Sequence, residues 1–225
     1  MSVRTADAGE LTTNIDRISA RTAAYPELQL AHHFLYDLRR PPNGKPQYVV
    51  MGINPGETPP DWETSPNPTE ETSRHDFHVD SGRSRSTIRW GRAAEFFLDE
   101  ADYVLTEAFF WSSKDGKQFK ERFGDLAASP HLPFCTEMNQ QLIEAYMPKA
   151  IIAPGLGLAE VCRPIYGLKF EDRLVCDKGR LAECYTDGIR PWVFTKHWTA
   201  SFGFSNNQRS AVRDYIRSTW LPAEV

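Results

Sequence analysis

Three features are missing from this chain of 225 residues, and each absence excludes a class of protein. No apolar run approaches the roughly 20 residues that a membrane-spanning helix needs, so we expect no membrane partner. The first residues lack the apolar segment of a signal peptide, so we expect a cytoplasmic location. No Cys-x-x-Cys pair occurs, which favours reduced thiols over structural zinc at Cys135, Cys162, Cys176 and Cys184. We therefore expect no metal and no cofactor.

Strong positive charge is also absent. The net charge of -4 argues against a wholly electrostatic binder of nucleic acid, although it is compatible with a local basic groove. With 40% hydrophobic and 25% charged residues, the chain has the composition of a soluble globular protein with a substantial core. We expect a monomer with a single domain over residues 1–225, in which residues 1–40 form an N-terminal helical extension.

The residues that are present are organised around one stretch, in which an apolar run stops abruptly at Asn-Pro-Gly. Tyr48 to Ile53 is mostly apolar and β-branched, which predicts a buried strand. Pro55 fixes φ and Gly56 permits positive φ, so the following turn is rigid and presents Asn54 at one place. Ligands of open α/β sheets usually bind at the carboxyl ends of strands. An ordinary turn after a buried strand is the alternative.

The rest of the chain alternates between helical and strand patterns. A frayed terminus is expected up to about residue 12. Apolar spacing predicts helices within residues 15–40 and at 93–98, 135–147, 158–165 and 208–220. Apolar runs predict strands at residues 103–111, 150–153 and 192–195, with a two-stranded excursion over 174–185. Because strands alternate with helices, we expect an α/β fold, a three-layer α/β/α sandwich around a mainly parallel central sheet.

Two segments at the ends of predicted strands carry recognisable motifs. They read Gly52-Ile53-Asn54-Pro55-Gly56 and Lys196-His197-Trp198-Thr199-Ala200-Ser201. The former resembles the first active-site motif of the uracil-DNA glycosylase superfamily, closest to its mismatch-specific uracil/thymine branch, and the latter resembles the second motif. The resemblance implies that superfamily's fold and a DNA base-excision glycosylase, which hydrolyses the N-glycosidic bond of a damaged or mismatched base flipped into a pocket.

The resemblance implies catalytic roles for two residues, which we expect side by side at the carboxyl edge of the sheet. Asn54 would position a water through its carbonyl oxygen, and His197 would support the uracil O2 as the base departs. An amide has no useful basicity near neutral pH, so Asn54 is not a general base. The substrate pocket would be lined by Gly52, Ile53, Pro55, Gly56, Trp198 and Thr199.

The second motif departs from the usual pattern, which continues with Pro-Ser, a small residue and an intercalating Leu. Trp198 stands in place of the proline and Thr199 in place of the serine. Ser201 and Phe202 are expected to contact the nucleic acid. Phe202 or Phe204 is the candidate wedge that fills the gap left by a flipped base. This role needs a bulky apolar side chain rather than one particular type of residue.

Residues 57–86 show no persistent periodicity and are rich in Pro, Ser, Thr and Asp. A loop of this length inside a domain is normally functional or disordered. The resemblance places the wall of the base pocket here, and Phe77 is the best candidate to stack on the base, ahead of Trp62 and His78. A hydrophobic plug that pins the loop is the alternative.

The predicted strand at 103–111 carries one carboxylate, Glu107, where superfamily members often have an asparagine that reads the uracil edge. A buried acid is costly unless it is partnered, so a ligand or a neighbouring donor should satisfy it. An exposed position at the strand end is the alternative. Because an ionised carboxylate only accepts hydrogen bonds, we expect Glu107 to disfavour uracil and to prefer bases with N–H donors.

Two other functions stay open. One is a catalytically silent nucleic-acid or nucleotide binder of the same fold, which the replacements at Glu107 and Trp198 favour. The other is a nucleoside or nucleotide hydrolase with a closed small-molecule pocket. The sequence does not distinguish single-stranded from double-stranded DNA as the partner.

Four arginines occur between Arg83 and Arg92, at a predicted junction of loop and helix. Arg83, Arg85 and Arg89 suit phosphate contacts, because the N-terminus of a helix adds unpaired N–H donors. A solvated basic face is the alternative.

Replacing Arg83, Arg85 and Arg89 by Gln should weaken binding to all DNA sequences alike. The plot of log K against log salt should flatten by about one unit for each phosphate that is no longer neutralised. Fluorescence anisotropy with labelled oligonucleotides at several salt concentrations measures this slope. An unchanged slope would show that the three arginines face solvent.

Overall fold

Helices and strands alternate along most of the chain. The computed structural model describes residues 8–31, 34–36, 46–57, 85–98, 103–177, 179–199 and 204–217, with the backbone alone at residues 8–12, 85–89 and 91. The described elements are α1 (Ala8–Ala24), β1 (Tyr48–Gly52), α2 (Arg85–Leu98), β2 (Tyr103–Glu107), α3 (Gly116–Phe123), α4 (Leu132–Tyr146), β3 (Ala150–Pro154), α5 (Leu158–Tyr166), β4 (Lys169–Cys176), β5 (Gly179–Thr186), β6 (Pro191–Thr195) and α6 (Asn206–Tyr215). Short 3-10 helices lie at Leu28–Leu30 and Leu126–Ala128.

Six strands of the described chain form one sheet in the order β2-β1-β3-β6-β5-β4. β3 runs parallel to both of its neighbours, and its Ile152 is paired with Val50 on one side and Val193 on the other. β5 runs antiparallel to β6 and to β4. The prediction of an α/β fold with a mostly parallel sheet is therefore confirmed, and two strands at one end make the sheet mixed.

The described residues divide into two compact units. The first unit comprises residues 8–31, 34–36, 52–57 and 104–147. The second unit comprises residues 46–51, 85–98, 103, 148–177, 179–199 and 204–217. A single domain over residues 1–225, with residues 1–40 as an extension, stays a prediction.

Two sequence-based predictions for the N-terminal region are wrong. α1 begins at Ala8 rather than after a frayed terminus, and it buries Asn14, Ile15 and Ile18 on one face. Residues 34–36 are extended rather than helical, and the N–H of Leu35 donates to the carbonyl of Phe110 at 3.0 Å. All three side chains of this segment are buried. A segment that is buried on both faces shows no alternation of apolar and polar residues, so its sequence pattern does not distinguish a strand from a helix.

Several predicted elements in the second half of the chain are confirmed. The predicted strands at 150–153 and 192–195 are β3 and β6, and the predicted helix at 135–147 is α4. Met147 ends α4 in the left-handed region with φ 47, just before Pro148. The predicted excursion over 174–185 is longer than expected, because β4 and β5 extend over 169–186 and join the main sheet.

His131 joins α1, the turn after it and the start of α4 within the first unit. Its side chain is 1% exposed. Arg21 Nε donates to His131 Nδ1 at 3.2 Å, and His131 Nε2 lies 3.0 Å from Glu27 Oε1. Because Nδ1 accepts, the neutral ring carries its proton on Nε2 and donates it to Glu27. Burial lowers the pKa of His131.

Acidification should therefore destabilise the folded chain through His131. Its folded-state pKa lies below the ordinary value of 6.5, so the unfolded state binds more protons and the free energy of unfolding falls as the pH drops below 6.5. Urea unfolding at several values between about pH 7 and pH 5 measures this loss. His131→Gln keeps a donor and an acceptor but cannot be protonated, so its decline should be smaller. Identical pH dependence in the two proteins would contradict this role.

Candidate functional site

The turn that follows β1 carries Asn54, and backbone hydrogen bonds fix this turn within the first unit. Four N–H···O bonds of 2.9–3.2 Å join residues 52–57 to residues 108–113. Both segments leave the sheet at the ends of β1 and β2, so the bonds extend strand-like pairing beyond the sheet. Pro55, which is buried, limits the conformations of the turn further. The backbone on both sides of Asn54 is therefore held in place.

The side-chain amide of Asn54 has one defined orientation. Its Nδ2 lies 2.8 Å from the hydroxyl oxygen of Ser113. The carbonyl oxygens of Pro55 and Trp111 lie 3.0 and 3.4 Å from the same nitrogen. Carbonyls only accept hydrogen bonds, so this end of the amide is the NH2 group. Oδ1 of the half-buried Asn54 bonds to no described residue, so a carbonyl oxygen with free lone pairs is presented.

A buried ion pair anchors the far end of the turn. Glu57 Oε1 accepts a hydrogen bond from Arg122 Nη1 at 2.6 Å and another from the Ser112 hydroxyl at 2.9 Å. The Glu57 side chain is 1% exposed, so removal of Arg122 would leave a buried charge without its cation. Sequence reasoning placed Glu57 at the start of a loop and missed this pair, because Arg122 is 65 residues away.

Glu107 ends β2, and its side chain lies against Gly52. A Cβ atom added to Gly52 would overlap Oε2 of Glu107 and lie 2.9 Å from Oε1. The glycine therefore leaves the space that the carboxyl group fills. The backbone carbonyl of Glu107 is held by Asn139 Nδ2 at 2.9 Å, and the hydroxyl of Thr106 donates to the other end of the same amide.

The carboxyl group of Glu107 lacks the partners that buried acids normally have. Oε2 is buried and makes no hydrogen bond within the described chain. The residue as a whole keeps partial exposure, but burial of its carboxyl group raises the pKa of Glu107 to about 8. This shift favours the neutral form of the acid, and the ionised carboxylate stays a prediction.

His197 follows β6 in the second unit and presents a hydrogen-bond donor. The N–H of Thr199 lies 3.4 Å from His197 Nδ1, and the Thr199 hydroxyl lies 3.1 Å from it. An N–H can only donate, so Nδ1 accepts and the neutral ring carries its proton on Nε2. The ring is exposed at the surface, yet the protein around it lowers the pKa of His197 by desolvation. Near pH 7, His197 is an uncharged N–H donor.

Trp198 anchors the segment that carries His197. Its side chain is fully buried and stacks on Phe97 with ring centroids 5.0 Å apart. Arg209 Nη1 donates to the carbonyl of Trp198 at 3.0 Å, and its guanidinium lies over the Phe97 ring at 5.6 Å. Sequence reasoning did not identify Arg209, because no motif marks it. Contact of Trp198 with a substrate stays a prediction.

The structure places the remaining predicted site residues in different settings. Ile53 is 39% exposed, and Gly56 on the other side of the turn is exposed as well. Phe204 is buried and stacks on Phe97. Phe204 would therefore have to leave this position to act as a wedge. Asn54 and His197 each follow a strand that runs parallel to β3. That their side chains lie side by side stays a prediction.

Some predicted contacts to nucleic acid or base involve residues that the structure describes only in part or not at all. The backbone of Arg85 and Arg89 belongs to the first part of α2, but their side chains are not described. The candidates that fall wholly outside the described residues are Trp62, Phe77, His78, Arg83, Ser201 and Phe202.

Metal ions, disulfides and membrane-spanning helices were also considered for the described part of the chain. No group of three or more His, Cys, Asp or Glu side chains there is suited to a metal ion. Cys135, Cys162, Cys176 and Cys184 are free. None of the described helices combines the length and apolarity needed to cross a membrane.

Comparison with protein-family models gives no match, and comparison with curated proteins gives none either. The assignment of a function therefore depends on the two motif resemblances and on the geometry of Asn54, Glu107 and His197.

Gly52→Ala should destabilise the first unit, because the new Cβ displaces the carboxyl group of Glu107. The free energy of unfolding should fall by more than in a glycine variant without such an overlap, because the buried carboxyl end of Glu107 has to move. Gly56→Ala is the matched control in the same turn, since a Cβ there meets no atom within 4 Å. Its cost should stay within about 0.5 kcal/mol.

Urea unfolding of both glycine variants measures these costs. The double variant Gly52→Ala/Glu107→Ala should recover part of the loss, with a coupling of about 0.5–3 kcal/mol in the mutant cycle. Equal costs at Gly52 and Gly56, or no coupling to Glu107, would contradict the contact.

Proposed function

We propose that this protein is a DNA base-excision glycosylase, which hydrolyses the N-glycosidic bond of a damaged or mismatched base flipped out of the strand. The proposal includes the three-layer α/β/α arrangement of the uracil-DNA glycosylase superfamily. In the same proposal, the protein is a cytoplasmic monomer and its partner is single-stranded or double-stranded DNA. The observation that carries it is the orientation of the Asn54 amide.

Hydrolysis of a glycosidic bond needs a water placed at C1′ and stabilisation of the charge that develops on the leaving base. The free Oδ1 of Asn54 supplies an acceptor that orients such a water, while Nδ2 is occupied by Ser113 and two carbonyls. The amide itself removes no proton near pH 7, because it has no useful basicity there. The reaction should therefore be modest in rate and should favour bases that leave easily.

His197 is proposed as the donor that stabilises the departing base. Its Nε2–H is free to donate because Thr199 fixes Nδ1 as an acceptor. A neutral imidazole donates to a developing oxyanion without requiring protonation of the ring. Its lowered pKa keeps this state at neutral pH. Each role, at Asn54 and at His197, is open to test by its own variant.

The other proposed contacts follow the motif resemblance. Gly52, Ile53, Pro55, Gly56, Phe77, Trp198 and Thr199 are proposed to line the pocket. Arg83, Arg85, Arg89, Ser201 and Phe202 are proposed to contact the nucleic acid.

A catalytically silent binder of nucleic acid is the second candidate. The observation that favours it is the burial of the Glu107 carboxyl group against Gly52, which raises the pKa of Glu107, together with an Asn54 amide that has no useful basicity near neutral pH. Such a protein would bind a flipped base without breaking the bond.

Asn54→Ala should lower base release by more than about tenfold while it leaves oligonucleotide binding nearly intact. Loss of a water-positioning group raises the transition state and hardly changes ground-state affinity. Single-turnover release from a uracil-containing oligonucleotide, together with a binding titration, separates the two effects.

Asn14→Ala is the matched control. Asn14 is a buried asparagine of the first unit, and its Nδ2 donates to the Tyr36 hydroxyl at 3.0 Å. Its loss should lower stability without the selective loss of base release. If Asn54→Ala releases base as fast as the wild type, Asn54 is not catalytic. If the wild type binds but releases nothing, the silent binder is correct.

A further inference from the structure

A series of hydrogen bonds within the second unit connects α6 with the ring of His197. Arg209 Nη1 donates to the carbonyl oxygen of Trp198 at 3.0 Å. The N–H of the same peptide group belongs to Thr199, and its nitrogen lies 3.4 Å from His197 Nδ1. One peptide group therefore lies between a cation and the imidazole ring, and it bonds to both.

The N–H of Thr199, rather than its hydroxyl, decides which ring nitrogen of His197 carries the proton. The hydroxyl lies 3.1 Å from Nδ1, but a hydroxyl donates or accepts and suits either neutral form of the ring. A backbone N–H only donates, so Nδ1 must be the acceptor. At 3.4 Å this bond is long, and it therefore depends on the direction in which the peptide plane is held.

Arg209 is suited to hold this peptide plane. A peptide group is planar, so a bond to its oxygen also restricts the direction of its N–H. Hydrogen bonds from a charged donor are stronger than those between neutral groups. A bond accepted at the oxygen also polarises the peptide and strengthens the bond that its N–H donates.

The guanidinium group of Arg209 has a defined position. Its central carbon lies 5.6–5.7 Å from the centres of three aromatic rings, those of Phe96, Phe97 and Phe204. The helix that carries Arg209 begins with a capping box at Ser205, one turn earlier. The donor to the Trp198 carbonyl is therefore fixed from two sides.

We propose that Arg209 is a positioning residue, which acts through the peptide group between Trp198 and Thr199 to fix His197 as an acceptor at Nδ1 and a donor at Nε2. The effect of Arg209 on catalysis rests on the proposed base excision.

Arg213, one turn further along α6, is the matched control. Its guanidinium also lies over an aromatic ring, 4.9 Å from the centre of Phe96. Its Nε lies 3.3 Å from Asp214 Oδ1, and it makes no hydrogen bond to residues 197–199 within the described chain. A substitution at Arg213 removes the same charge from the same helix without touching the peptide group.

Nitrogen-15 NMR of the His197 ring tests the positioning without a substrate. At about pH 8 the ring is neutral, and its two nitrogens give well-separated signals because only one carries a proton. Arg209→Met keeps apolar contact with the rings but removes the donors, so the two signals should move towards each other as the second neutral form becomes populated. The signals are assigned by their loss in His197→Gln. Arg213→Met should leave them in place, and unchanged signals in Arg209→Met would overturn the inference.

Base release should respond to Arg209 only through His197. Single-turnover release of uracil from an oligonucleotide should fall by about tenfold in Arg209→Met, with oligonucleotide binding like that of Arg213→Met. In a His197→Ala background, Arg209→Met should lower release by less than about twofold more. A further tenfold loss in that background would show that Arg209 acts independently of His197, which would overturn the inference.

The two measurements separate this inference from the proposed function. If the ring signals shift as expected but the wild type releases no base, the positioning of His197 stands and base excision is refuted. If base is released while the ring signals of Arg209→Met match those of the wild type, this inference alone is refuted. Urea unfolding shows whether Arg209→Met is folded. If it is not, Arg209→Gln and Arg213→Gln take the place of the two methionine variants, with the same expected and opposing results.

Discussion

The orientation of the Asn54 amide is the constraint on which the rest of the site depends. Ser113 and two backbone carbonyls occupy Nδ2, so Oδ1 is the end available to a ligand or a water. The turn itself is held by backbone bonds to residues 108–113 and by the Glu57–Arg122 ion pair. A water-positioning role needs such a fixed acceptor, because misplacement of the water raises the barrier.

Glycine at position 52 has a physical reason that the motif alone does not provide. Its backbone is in contact with the carboxyl group of Glu107, and any Cβ there would displace that group. Burial raises the pKa of Glu107, whereas Glu57 and Glu183 have arginine partners. The same type of side chain is therefore placed in different environments, which shift its pKa differently.

Local patterns were enough to predict the framework of the fold. Apolar runs predicted β1, β3 and β6, and the Asn-Pro-Gly sequence predicted the turn that presents Asn54. The partners of the site were not predictable, because Ser113 lies 59 residues from Asn54 and Arg122 lies 65 residues from Glu57. The raised pKa of Glu107 was not predictable either, since it depends on burial by remote segments. Thr199 was predicted from the motif, but its effect on the His197 tautomer required the geometry.

Base release is the property that tests the central claim most directly. Purified protein is incubated with single-stranded and double-stranded oligonucleotides that carry uracil, hypoxanthine, xanthine or a mismatched thymine, and the free base is quantified. Release of at least one of these bases is the result expected of a glycosylase. Tight binding of the oligonucleotides with every base still attached would contradict base excision.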